Sequence, residues 1–191
     1  MTVPFNLDAL LKKHGLVMRG SFRPANEDAL PRLAGDRVAA MVCMVGVAGS
    51  DFWPHFEQSA CFRDGLAHPL DRWSRLIGDQ LAQHLGGLAL YPFDGPPYWP
   101  FQRWAERGES VYASPLQLLI HPEFGLWHAY RFALLLPQAA SCSDTLPVDA
   151  PPRHQESPCL RCANVPCLSA CPVHAYDRGG FRLDRCLTWL G

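Results

Sequence analysis

The sequence lacks a hydrophobic run long enough to cross a membrane. Its longest apolar run, residues 38–49, has 12 residues, against the roughly 20 that a transmembrane helix needs. The N-terminus also lacks the basic start of a secretory signal, because Lys12 and Lys13 follow the first apolar residues instead of preceding them. We therefore expect a cytoplasmic protein that does not associate with membranes.

An excess of positive charge is also missing. The formal net charge is −1 and the isoelectric point is about 6.7, so no overall positive field draws the protein to nucleic acid. Residues 153–191 hold five Arg against three Asp or Glu, a local excess that is small for an RNA-binding surface. Charge therefore gives little support to transfer RNA as a partner.

The common nucleotide-binding and hydrolase signatures are absent too. No G-x-G-x-x-G and no G-x-x-x-x-G-K-[ST] occurs in the sequence, which argues against a nicotinamide-binding Rossmann domain and against an ATPase. No G-x-S-x-G elbow of the α/β-hydrolases occurs either. No catalytic residue is identified by these motifs.

The placement of the eight cysteines is the strongest feature that the sequence does contain. Cys43, Cys61 and Cys142 are scattered, and apolar neighbours suggest that Cys43 and Cys61 are inert buried thiols. The other five cysteines lie within the last 33 residues. Because no export signal is present, we expect reduced thiols, and reduced thiols crowded into one segment are typical of metal ligands.

Hydrophobic periodicity predicts an α+β fold over residues 1–140, with a mixed sheet and flanking helices. Residues 37–48 are apolar without polar alternation, which indicates a central strand covered on both faces. Asn6 is the expected cap of a first helix. Helices are predicted over residues 7–14 and 69–85 with a helical turn near residue 108, and further strands over residues 16–22, 88–93, 115–121 and 129–137.

A Pro-rich stretch separates this domain from a short tail. Residues 141–158 carry four prolines and few apolar side chains, a composition that favours an extended linker. Residues 159–191 then form a small, ferredoxin-like, cysteine-rich segment.

The cysteine spacing of the tail is close to that of bacterial ferredoxins. Residues 159–186 give a C-x2-C-x4-C-x3-C-P run and one further cysteine, whereas the ferredoxin run is C-x2-C-x2-C-x3-C-P. The two extra residues require a bulge at Asn164 to Pro166. Thiolates at this spacing suit an iron–sulfur cube, which predicts a [4Fe-4S] cluster. The candidate ligands are Cys159, Cys162, Cys167, Cys171 and Cys186.

A structural zinc site is the main alternative for these cysteines. Four thiolates at short spacing also close a tetrahedral Zn–S4 shell. A zinc ribbon, however, separates two C-x2-C pairs by a longer stretch, and the tail instead ends its run with Cys-Pro followed by a Gly-Gly turn. The pattern favours the cluster over zinc, with disulfides as a third alternative.

The tail resembles the ferredoxin segment of two-cluster iron–sulfur proteins, in which the fourth cysteine serves the second cluster. With the preceding residues 114–137, SPLQLLIHPEFGLWHAYRFALLLP, it is similar to the epoxyqueuosine reductase family and its corrinoid-dependent relatives. The resemblance implies an α+β corrinoid-binding domain, with the cluster supplying electrons to the cobalt of a cobalamin. It also implies a second cysteine run from about Cys186, so the stop at Gly191 suggests a shortened member or a truncated gene product.

The resemblance leaves the fourth ligand open. Cys159, Cys162 and Cys167 are the expected ligands of one cluster, and Cys171 or Cys186 has to complete it. In a two-cluster relative both of these cysteines belong to the other cluster.

Aromatic residues beside a Pro-rich loop are the candidate cofactor contacts. Tyr98, Phe101, Arg103 and Trp104 suggest the floor of a pocket for a planar group, and ordinary packing is the alternative. The resemblance makes that group a corrinoid, bound without a histidine ligand because D-x-H-x-x-G is absent. Arg131 is a further candidate for contact with a corrinoid side chain or an anion.

The sequence thus predicts an iron–sulfur electron-transfer protein or reductase component. A redox partner protein or a small-molecule substrate is its expected partner, and any enzymatic activity would be that of an oxidoreductase. The alternatives are a zinc- or cluster-stabilised binding module without catalysis and a tRNA-modifying enzyme like epoxyqueuosine reductase. His121 and His128 flank a glycine turn without a predicted common face, so we expect them to serve structure.

Overall fold

The structure is a computed structural model that describes residues 6–137, 156–177 and 179–190. The chain divides into two compact units: Met1–Glu109 with Trp127–Pro152, and Ser110–Leu126 with Arg153–Gly191. Residues 110–126, which the sequence assigns to the first domain, therefore belong to the second unit. Of the predicted linker, only residues 156–158 lie among the described residues.

The described residues contain seven helices and eight strands. The helices are α1 (Leu7–Lys12), α2 (Trp53–Glu57), α3 (Ala60–Arg63), α4 (Pro69–Leu85), α5 (Phe101–Gly108), α6 (Pro166–Ser169) and α7 (Leu183–Leu190). The strands are β1 (Val17–Phe22), β2 (Met41–Ala48), β3 (Leu88–Leu90), β4 (Tyr112–Ala113), β5 (Leu119–Ile120), β6 (His128–Leu136), β7 (Tyr176–Asp177) and β8 (Gly180–Phe181). Short 3-10 turns occur at Asn26–Asp28 and Pro158–Arg161.

A four-stranded sheet in the order β1-β2-β6-β3 forms the centre of the first unit. The sheet was expected to be mixed, and its three strand pairs are all antiparallel. Side chains alternate between the two faces, so Cys43 and Val45 of β2 enter one core whereas Val42 and Met44 enter the other. The predicted central strand with both faces covered is confirmed.

Helices cover the two faces of this sheet. On one face, α1, α2 and α4 contribute Leu11, Phe56 and Ile77 to the core. On the other, α5 contributes Phe101 and Trp104. Because each face of the sheet is covered by helices and connecting segments, the two cores close without a parallel crossover, and the predicted α+β class is confirmed.

Local patterns predicted some elements better than others. The bounds of α4 agree with the predicted helix, and Leu76 within it is exposed although it is apolar. The predicted buried strand at residues 115–121 is wrong: it contains only the two-residue β5, and Leu118 is exposed. The helices α2 and α3 were missed because each is one turn long and shows no repeat of the helical period.

The cap of α1 gives a direct test of the local structure. Asn6 Oδ1 accepts a hydrogen bond from the Ala9 amide at 3.0 Å, as the sequence predicts. We expect Asn6→Ala to lower the free energy of unfolding by about 1 kcal/mol, because it leaves one amide of the first turn without its acceptor. Urea denaturation measures this change. Asn6→Ser, which keeps a capping oxygen, should retain most of the stability, and equal losses in the two variants would contradict the capping role.

The second unit consists of small elements. Strands β4 and β5 pair as one antiparallel hairpin, and β7 and β8 pair as another. The helices α6 and α7 lie on either side of the second hairpin in sequence. Among the described helices, none is both long and apolar enough to span a bilayer.

Candidate metal centre

All five candidate cysteine ligands lie in the second unit and carry free thiols. Cys162 is exposed and the other four are half-buried, so none of these sulfurs is enclosed in a hydrophobic core. They lie on short turns and helices that change direction every few residues. The positions are Cys159 in the 3-10 turn Pro158–Arg161, Cys162 directly after it, Cys167 in α6, Cys171 just beyond α6, and Cys186 in α7.

The two-residue insertion before the third cysteine has a clear structural consequence. Asn164 and Val165 are consecutive left-handed residues, with φ of 62° and 41°. The left-handed conformation costs free energy for a β-branched residue such as Val165. The rest of the loop therefore has to hold this turn in place. It lies within the predicted bulge and leads directly into α6 through Pro166, a residue suited to the first turn of a helix.

Backbone amides of this segment bond to one cysteine sulfur and to one serine hydroxyl. The Ala175 amide donates to Cys171 Sγ at 3.4 Å, and Ala175 itself is buried. The Cys159 amide donates to Ser157 Oγ at 3.3 Å, which holds the first turn in place. Hydrogen bonds from amides to sulfur tune the potential of a bound cluster.

Two ion pairs form among the charged side chains around the cysteines. Arg182 Nε lies 3.1 Å from Asp177 Oδ2, and Arg161 Nε lies 3.7 Å from Glu156 Oε2. The hydrogen bond from Arg182, helped by the Gly179 amide, lowers the pKa of the Asp177 carboxyl.

The described residues do not gather donor side chains for a metal ion around one point. Zinc requires four donors at about 2.0–2.3 Å from one point, and no group of three or more His, Cys, Asp or Glu side chains among the described residues is gathered in that way. The free thiols of the five cysteines are donors of the kind that zinc and iron–sulfur clusters both take.

The predicted cofactor contacts on α5 are divided between core and surface. Phe101 and Trp104 are buried in the core, where Trp104 stacks on Trp99 with ring centroids 6.0 Å apart. Tyr98 and Arg103 are exposed. Ordinary packing, the alternative for these aromatic residues, therefore accounts for Phe101 and Trp104, and the structure does not bring the four side chains together on one surface.

Arg131 has structural partners on α4. Its Nη2 lies 2.5 Å from Asp71 Oδ1, and its Nε donates to Ser74 Oγ at 2.9 Å. Ser74 Oγ in turn donates to the Leu70 carbonyl at 2.7 Å. These bonds join β6 to α4, which explains an arginine among apolar neighbours without a ligand.

A buried polar network that the sequence did not reveal lies at one end of the sheet. Arg19, 2% exposed, donates to both carboxylate oxygens of Glu109 at 2.9 Å and to the Val47 carbonyl at 2.7 Å. Its Nη2 also lies 3.2 Å from His128 Nδ1. The Tyr130 hydroxyl donates to Glu109 at 2.7 Å, and burial and this carboxylate raise the Tyr130 pKa. Arg19 lies 90 residues from Glu109 and 109 residues from His128 along the chain. Only the tertiary fold therefore brings these groups together.

Two other features differ from expectation or were missed. Cys43 is buried as predicted but is disulfide-bonded, so its interpretation as a free thiol is wrong. A cleft of about 520 Å³ between α1 and α2 was not predicted, and Asp8, Lys12, Asp51 and His55 contribute its charged lining. Near it, burial lowers the pKa of His14, with His55 and Lys13 adding to the effect.

Comparison with known proteins adds no family to these observations. No protein-family model matches the chain. No curated protein matches it significantly. The function therefore has to be argued from the cysteine segment itself.

Proposed function

We propose that the protein is an iron–sulfur electron carrier or reductase component that holds one [4Fe-4S] cluster in its second unit. Cys159, Cys162 and Cys167 supply three ligands, and Cys171 or Cys186 supplies the fourth. When bound, such a cluster accepts and donates single electrons. The chain's own contribution is to fix the thiolates on short turns and to direct the Ala175 amide at the Cys171 sulfur.

One observation carries the proposal. Five cysteines within 28 residues are all free thiols, and none is buried in the core. A cysteine that serves only packing is usually buried, and a cysteine that serves a disulfide would be bonded to a second cysteine. Ligation explains why thiols are concentrated on short, tightly turned segments of the chain.

The corrinoid has weaker support and enters the proposal as the acceptor implied by the resemblance. In the first unit, the buried indole N–H of Trp104 has no hydrogen-bond partner among the described residues. A buried hydrogen-bond donor without an acceptor, beside the Pro-rich loop, is a feature that the polar group of a bound ligand would satisfy. Exposed Tyr98 and Arg103 remain the residues to test for contact with the cofactor.

The proposal is tested by preparing the protein without oxygen and measuring its iron, sulfide and zinc. We expect about four irons and four sulfides per chain, brown colour, and a paramagnetic resonance signal after reduction by dithionite that integrates to one spin. One zinc per chain without labile sulfide would instead support the structural binding module. A colourless, metal-free protein that folds normally would end both interpretations.

Titration with cob(II)alamin separates an electron carrier for a corrinoid from one with another acceptor. If the first unit binds the corrinoid, its visible spectrum changes on mixing, and Arg103→Ala weakens the change. If the corrinoid spectrum does not change while the cluster is intact, the cluster passes its electrons to another substrate or redox partner. The tRNA-modifying alternative is not favoured by a specific observation, since the arginines that the structure describes in the cysteine segment are paired or bonded to backbone.

A further inference from the structure

The cleft between α1 and α2 has the size of a small-molecule site. Its volume is about 520 Å³, within the range of about 300–1,000 Å³ that is usual for ligand pockets. Leu16 and Met18, with relative exposures of 2% and 9%, supply an apolar wall. All of the lining residues belong to the first unit, so an inference about the cleft does not depend on the cysteine segment.

The two sides of the cleft come together at Gly15. This residue ends the turn after α1 with φ of 65°, and a Cβ placed on it would lie 2.6 Å from Phe52 Cα and 2.7 Å from the Asp51 carbonyl oxygen. Both distances are too short for a real side chain, so only glycine lets the end of α1 approach the start of α2 so closely. This backbone contact fixes the position of the charged residues on one side relative to those on the other.

Charged side chains line the cleft from both sides. Asp8 and Lys12 lie four residues apart on α1 and therefore share one face of that helix. On the other side, Asp51 lies just before α2 and His55 lies within it. None of these four side chains forms a hydrogen bond or an ion pair with another described residue. Their charges are therefore available to a ligand.

Lys12 is the main positive charge of the cleft near neutral pH. The nearby His14 is half-buried, and its pKa is lowered by burial and then by His55 and Lys13. Because the charged form of His14 is disfavoured, its ring is mostly neutral at pH 7. The positive side of the cleft therefore depends on one flexible ammonium group.

The mixture of charges favours a ligand that also carries both signs. A simple anion would be attracted by Lys12 and repelled by Asp8 and Asp51, and a simple cation would meet the opposite pattern. A ligand with an ammonium and a carboxylate finds a partner for each group. Its hydrocarbon part can then cover the apolar wall of Leu16 and Met18.

We propose that this cleft binds a small zwitterion of the amino-acid type, with an ammonium, a carboxylate and an aliphatic side chain. Asp8 and Asp51 attract the ammonium, and Lys12 attracts the carboxylate. The aliphatic side chain packs on the apolar wall. This is a binding function of the first unit in addition to the electron transfer proposed for the cysteine segment.

Three probes of matched shape test the charge requirement when they are titrated into the full chain. They are L-leucine, 4-methylpentanoate, which is leucine without its amine, and 3-methylbutylamine, which is leucine without its carboxylate. We expect leucine to bind at least about threefold more tightly than either of the others, because it pairs charges of both signs. If one of the single-charge probes binds as tightly as leucine, the proposal is wrong.

The methyl group of Met18 locates the binding. In protein with isotope-labelled methionine methyls, the Met18 signal is assigned by its loss in Met18→Leu, and it should shift as leucine is added. Met44 is the internal control, because its side chain lies in the core on the other face of the sheet. An unshifted Met18 signal up to the solubility limit of leucine, or equal shifts of both signals, would overturn the proposal.

Two neighbouring lysines provide matched variants. Lys12 and Lys13 are both exposed, but of the two only Lys12 lines the cleft. Lys12→Gln should raise the dissociation constant of leucine at least about threefold without weakening 3-methylbutylamine, whereas Lys13→Gln should change either constant by less than about twofold. Equal effects of the two substitutions on leucine would contradict the proposal. Iron content should be the same in both variants, so failure of this inference is distinguishable from failure of the proposed cluster.

Discussion

Cys162→Ser is expected to abolish the iron–sulfur cluster, with iron falling from about four atoms per chain to below one. Cys162 is the most suitable position for this test, because it is the exposed member of the five and its side chain packs in no core. Serine keeps the shape of the side chain but does not replace a thiolate as a ligand for iron. Loss of iron in this variant therefore reports ligation and not misfolding.

The measurement is iron and sulfide analysis with the visible spectrum, on protein prepared without oxygen. Cys61→Ser is the matched control, since Cys61 is also a free thiol but lies in the first unit. We expect this control to keep its iron and colour. Full iron content in Cys162→Ser, or equal loss in Cys61→Ser, would show that the spacing of the tail cysteines does not define the site.

Removal of the Glu109 carboxylate is expected to destabilise the first unit more than any other single change considered. Glu109 binds Arg19 through both oxygens, and the two side chains are 16% and 2% exposed. Breaking a buried pair by deleting one partner costs about 3–5 kcal/mol, because the remaining charge loses its main compensation while buried. We expect Glu109→Ala to lower the free energy of unfolding by that amount.

Urea denaturation at neutral pH measures the change, and a second variant shows its cause. If the cost comes from the buried arginine charge, Arg19→Met combined with Glu109→Leu should recover about half or more of the loss, since apolar replacement of a buried pair is often close to neutral. Asp177→Asn, which breaks an exposed ion pair, should have a far smaller effect. A loss under about 1 kcal/mol in Glu109→Ala would mean that the network contributes little.

Local structure was predictable wherever a physical pattern repeats within one element. The bounds of α4 follow from apolar residues at helical spacing ended by glycine, and the continuous apolar run of β2 indicates a strand with two covered faces. The cap at Asn6 and the bulge at residues 164–166 follow from side chains and spacing a few residues apart. Each of these signals depends only on near neighbours in the chain.

Features that depend on distant neighbours were not predictable in the same way. The aromatic residues Phe101 and Trp104 have the composition of a ligand pocket, and only the packing of α5 against the sheet shows that they are core. Residues 110–126 look like part of the first domain until their contacts place them in the second unit. The Arg19 network depends on a partner 90 positions away.

The sequence by itself determined the donor chemistry of this protein, because thiol spacing along one short segment is a property of the chain and not of its fold. Tertiary structure alone decided which residues are buried, which charges are paired, and that α7 lies exposed around a single half-buried cysteine. The reason is the range of the forces involved. Helical period, caps and turns act over a few residues, whereas burial and ion pairing are settled only when distant segments meet.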